Sequence, residues 1–87
     1  MTNMLETYIL VETKREGKGV MFRGIFNSEE AARAAYEEMK NAEELIYEPP
    51  SGGGILFQSA GKNNRLYLVY MMEGGAEVTL DGFRIDF

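Results

Sequence analysis

The alternation of apolar and polar positions is clearest at the C-terminal end. Asp81-Gly82 reads as a two-residue hairpin turn. That turn sets Leu80 opposite Phe83, Val78 opposite Ile85 and Ala76 opposite Phe87, so the large apolar residues share one face. A second turn at Gly74-Gly75 extends this face by placing Met71 opposite Val78 and Val69 opposite Leu80. The other side of strand 65–73 reads Leu66, Leu68, Tyr70, Met72. A strand apolar on both sides needs cover on both sides. Two readings are open for this second face: the sheet curls and closes on itself, or the face is an interface with a second copy or a partner. Ile55 and Phe57 are expected to join it.

Residues 7–13 form another strand apolar on both sides, with Tyr8 and Leu10 opposite Ile9 and Val11. The segment 14–19 is a glycine-containing turn. Residues 20–26 return with Val20, Phe22 and Phe26 on one face and Met21, Arg23 and Ile25 on the other. Asn27, three residues before Glu30, resembles a capping box, with Glu29 and Glu30 in the favourable field of a helix N-terminus. Ala32, Ala35, Tyr36, Met39, Ala42 and Ile46 then recur at helical spacing, opposite a charged face, and Pro49-Pro50 stop any helix by about Tyr47. A strand at 55–59 and a turn at 61–64 follow. The order is β-β-α-β-β-β-β, an α+β fold in which one helix packs on an antiparallel sheet as a two-layer sandwich.

The 87 residues set the scale as one domain, 1–87, with a single core. No stretch has the apolar length to span a bilayer, and residues 1–10 lack the pattern of a signal peptide, so a cytoplasmic, non-membrane protein is expected. With no His and no Cys, the chain cannot build a histidine-assisted nucleophile or a thiolate or imidazole zinc site. A non-enzyme without cofactor or metal is expected. The net charge of −5 opposes nucleic-acid binding, which depends on neutralising phosphates, and suits a basic protein surface.

Two candidate sites follow. The first is a protein interface formed by Leu66, Leu68, Tyr70 and Met72, with Glu37, Glu38, Glu43 and Glu44 supplying electrostatics toward a basic partner. The second is an anion site in which Lys14, Arg15 and Lys18 meet the Ser51, Gly52, Gly53, Gly54 loop at one end of the sheet. Lys62, Asn63 and Arg65 are expected at the opposite end, near the helix N-terminus.

The strand ending Gly24-Ile25-Phe26-Asn27-Ser28, followed by Glu29-Glu30-Ala31-Ala32, resembles small uncharacterised phage and bacterial proteins with a strand-turn-strand-helix order. The resemblance covers about the first half and implies a phage-type accessory role, including small acidic inhibitors of host defence. Together these readings lead to a noncatalytic acidic binding or inhibitor module, homo-oligomeric or bound to a protein partner. The alternative is a protein that binds or sequesters an anionic small ligand or nucleotide.

Overall fold

Two layers close over a central strand whose side chains are apolar in both directions. The computed structural model describes residues 6–14, 19–71 and 77–86. Its elements are β1 (Thr7–Lys14), β2 (Gly19–Phe26), α1 (Glu29–Ala42), β3 (Ile46–Glu48), β4 (Ile55–Ala60), β5 (Asn64–Met71), β6 (Glu77–Leu80) and β7 (Phe83–Asp86). The first five strands make one antiparallel sheet in the order β2-β1-β5-β4-β3. The α+β class, with one helix on an antiparallel sheet, agrees with the sequence. Strand β3 is an addition and a correction: the helical spacing in the sequence runs on to Ile46, whereas α1 ends at Ala42 and Ile46 begins a strand.

Helix α1 covers one face. Tyr8, Leu10, Ala32, Tyr36, Leu45, Leu66 and Leu68 form its core, with Ala35, Met39, Phe57 and Tyr70 packed against it. Ser28, rather than Asn27, caps the helix by accepting a hydrogen bond from the Ala31 amide at 3.1 Å. Leu66 and Leu68 are fully buried beneath the helix. They are therefore core residues and not an open interface. Tyr70, partly buried, tilts against Tyr8 at 5.2 Å between ring centres, and Met72 lies outside the described residues.

The β6–β7 hairpin covers the opposite face. It is a separate two-stranded sheet rather than a continuation of β5, so the expected Met71–Val78 and Val69–Leu80 strand pairs do not form. Val78 and Leu80 instead pack face to face on Ile9, Val11, Ile55, Tyr67 and Val69. The expected Leu80–Phe83 and Val78–Ile85 pairs do form, around Asp81 (φ 54°) and Gly82 (φ 84°). Both values belong to the turn type that Asp-Gly favours. The face of Leu66 and Leu68 is thus covered by the helix, and the face of Tyr67 and Val69 by a folded-over hairpin, so the chain covers both without barrel closure.

Two bulges redirect side chains that strict alternation would place together. In β2 the register shifts between the partners of Leu10 and Val11, pairing Leu10 with Gly24 and Val11 with Phe22. Phe26 then stands on the helix face opposite Tyr8, while Val20 and Phe22 stand on the hairpin face. In β4 a shift between Ile55 and Phe57 sends Ile55 to the hairpin layer and Phe57 to the helix.

Because Leu68 lies inside the helix-facing core, Leu68→Ala should cost about 2–5 kcal/mol in urea unfolding. Leu68→Glu should abolish the cooperative transition, since its carboxylate would be buried without a partner.

Candidate functional site

On the hairpin side of the sheet, cross-strand rows run Ile46–Ala60–Arg65–Thr13 and Glu48–Gln58–Tyr67–Val11. These polar residues sit beyond the apolar footprint of the hairpin. Between them, the 49–53 loop and β6 lies an open cavity of about 780 Å³, lined among others by Glu48, Gln58, Arg65, Tyr67, Glu77 and Asp81.

Arg65 links the cavity's two walls. Its Nε donates to Glu48 Oε2 at 2.7 Å and its Nη1 to Asp81 Oδ1 at 2.5 Å, so strand β3 and the hairpin tip are held by one guanidinium. Thr13 Oγ1 donates to Asp81 Oδ2 at 2.7 Å. Gln58, buried, donates from Nε2 to Glu48 Oε2 at 2.6 Å and accepts from the Ser51 amide at 2.7 Å, anchoring the glycine loop. Burial opposes ionisation of Glu48, but the hydrogen bonds from Gln58 and Arg65 and the guanidinium charge outweigh it and hold its carboxyl below the ordinary range. Burial pushes the Tyr67 phenol up, with the Asp81 charge acting the same way.

Glu48 and Glu77 line the cavity, and one oxygen of each, Glu48 Oε1 and Glu77 Oε1, has no partner among the described residues. A side chain at Gly52 or Gly53 would meet nothing within 4 Å, so the loop is open on that side. Gly54 differs: it has φ +84°, and a Cβ there would come within 2.9 Å of Val78 Cγ1.

Among the described residues no strand pairs with the outer edge of β3, and this free edge adjoins the cavity. Ile46 is 74% exposed and Tyr47 49% exposed. Tyr47 points to the helix face, where its ring lies 6.0 Å from Tyr36 and Lys40 Nζ sits 4.3 Å above it. The other edge strand, β2, also exposes Phe22 (60%) and Ile25 (72%). Its ladder is interrupted by the bulge at Arg23, a feature that discourages strand addition.

Of the expected anion site, Lys14 is not brought to the glycine loop. Lys14 pairs with Asn64, whereas the Gly54 carbonyl accepts from the Tyr70 amide. Six positions on β5 therefore separate them, roughly 20 Å at about 3.3 Å per residue. Arg15 and Lys18 lie outside the described residues. Ser51, Gly52 and Gly53 border the carboxylate-lined cavity instead. Arg65 and the turn before it lie toward the helix C-terminus, not its N-terminus, because Asn64 binds Glu43 there.

Among the four glutamates assigned to a partner, Glu38 and Glu44 are exposed, and Glu37 pairs with Lys40 at 3.9 Å. Glu43 is engaged internally. Asn64 Nδ2 donates to Glu43 Oε1 at 2.6 Å and to Glu12 Oε2 at 2.5 Å. Glu12 is buried, and its Oε1 has Arg23 Nε at 3.1 Å as charge partner without an aligned hydrogen bond. Burial, together with the neighbouring Glu12 carboxyl, pushes the Glu43 pKa up against the opposing effects of Asn64 and Arg23.

Compared with known proteins, the chain matches no family model, no curated protein and no solved structure. Among the described residues no three acidic side chains converge to hold a metal ion, and no helix is long and apolar enough to cross a membrane.

The Arg65 and Glu43 clusters should respond to pH with opposite signs. Glu48 has a depressed folded pKa, so its contribution is present at neutral pH and lost as pH falls through the carboxylate range. Arg65→Met should cost about 1–3 kcal/mol at neutral pH in urea unfolding, and less under acid. Glu43 has a raised folded pKa, so its contribution is present at low pH and lost as pH rises through that value. Glu43→Gln should therefore gain on the wild type in melting temperature between about pH 4 and about pH 7.

Proposed function

We propose that this protein is a noncatalytic binding module that docks an extended segment of a partner protein along the free edge of β3. The observation that carries this reading is the conjunction of a strand edge unpaired among the described residues, two exposed apolar side chains on that edge, and a carboxylate-lined cavity directly beside it. An unpaired edge offers main-chain donors and acceptors, and neighbouring side chains supply selectivity. Ile46 and Tyr47 are apolar anchors of the sort that strand-adding partners pack against, and the net charge of −5 favours a basic partner.

Homo-oligomerisation through Leu66 and Leu68 loses its support, since both are core residues. Sequestration of an anion loses the meeting of Lys14 with the glycine loop. A phage-type inhibitor of host defence, suggested by resemblance, would be one use of an edge-docking surface. Cytoplasmic action is part of the same reading.

Titrating an extended peptide of alternating valine and threonine with one arginine, followed by amide chemical shifts, tests the edge. Shifts should concentrate at Ile46, Tyr47 and Glu48. Ile46→Lys should weaken binding at least about fivefold while changing stability by no more than about 0.5 kcal/mol. Shifts confined to β2, or none at all, would overturn the reading.

A further inference from the structure

Glu48 is the last residue of β3 before Pro49-Pro50; it shares the hairpin side of the sheet with Ile46 and lines the cavity, whereas Tyr47 faces the helix. In an antiparallel pair, directly opposite residues share a face. A segment added to β3 must therefore aim the side chain opposite Glu48 over the cavity mouth. Resting on the edge-docking reading, we propose that this position of the partner is read as a basic side chain, arginine above all, which enters the cavity and pairs with Glu48 and Glu77.

The electrostatics favour a cation. Three carboxylates, Glu48, Glu77 and Asp81, line the cavity against the single guanidinium of Arg65. Glu77 stands half-exposed at the rim, and Arg84 pairs with it at 2.7 Å. Even counting Arg84, one negative charge remains, three against two. The open oxygens Glu48 Oε1 and Glu77 Oε1 are acceptors, the chemistry a donor-only side chain requires. An anion would meet these carboxylates at once, and an apolar side chain would leave them unpaired.

Arginine suits the site better than lysine because its planar fork can hydrogen-bond two carboxylates simultaneously and carries a weaker hydration shell. Arg65 already shows this arrangement one strand pair away, bridging Glu48 and Asp81 with two nitrogens of one guanidinium. The glycines at the rim admit a long side chain, since neither Gly52 nor Gly53 has a neighbour within 4 Å of where a Cβ would stand. The opposite face of the added strand is unfavourable for the same charge, because Lys40 sits over Tyr47 there.

Three peptides of alternating valine and threonine distinguish the cavity from the edge. The first carries arginine opposite Glu48, the second carries citrulline at that position, and the third has the arginine moved by one residue, which turns it to the other face. Affinity and site are read from amide shifts of Ile46–Glu48 for the edge and of Ser51, Gln58 and Glu77 for the cavity. The expected result is at least a tenfold weaker citrulline peptide, cavity shifts with the first peptide alone, and a severalfold loss in Glu77→Gln that affects the arginine peptide but not the citrulline one. Equal affinities for the first two peptides, with edge shifts retained, would overturn the cavity proposal and leave edge docking standing. Absence of edge shifts with all three would overturn both.

Discussion

Everything else in this fold follows from strand β5 being apolar in both directions. Leu66 and Leu68 face one way, Tyr67 and Val69 the other, and all four are fully or almost fully buried. One amphipathic helix can satisfy only one of these faces, so a second layer is compulsory. The chain supplies it by folding its last hairpin back across the sheet. Strand β1, with Tyr8 and Leu10 opposite Ile9 and Val11, repeats the demand and sits directly beside β5. The two doubly apolar strands are thus the shared spine of both cores.

The hairpin is small, and this smallness creates the site. Four-residue strands cannot cover the full width of a five-stranded sheet, so their apolar footprint ends at Ile55 and Tyr67. Beyond it the sheet is polar, with buried Gln58 and the partly exposed Glu48 and Arg65 occupying it. Arg65 compensates for the missing contact area by fastening the hairpin tip through Asp81 and the edge strand through Glu48. A guanidinium held by two carboxylates is directional in a way apolar contact is not, which gives the hairpin its seating as well as part of its attachment. The same pairing leaves one oxygen of Glu48, a cavity-lining residue, without a partner among the described residues.

The second charged cluster serves a different end of the molecule. Glu12, Glu43, Asn64 and Arg23 join β1, the helix C-terminus, the start of β5 and the bulge of β2. Two carboxyls brought together on one amide resist joint ionisation, and Arg23 partly offsets this. The β2 bulge therefore has an electrostatic counterpart, with the bulged residue directed toward a buried glutamate.

Much of the architecture was legible from the chain alone. Strong local signals carry it: the Asp81-Gly82 turn with its register, the doubly apolar strands, the alanine-rich helix stripe, and the α+β class. These depend on backbone preferences and short-range periodicity, which neighbouring residues settle among themselves. What only the tertiary structure decided is how faces are assigned and what covers them. The bulges at Arg23 and beside Ile55 reverse the side of every residue beyond them, and alternation carries no mark of a single inserted residue. Strand β3 escaped notice because Ile46 falls in phase with the helix stripe and three residues have no period of their own to oppose it. Whether β6 would pair with β5 or lie across it could not be read either, since both arrangements bury Val78 and Leu80 equally well. The cavity is the consequence of that choice. Glu48, Arg65 and Asp81 are far apart in the chain, and only the folded-over hairpin brings them together.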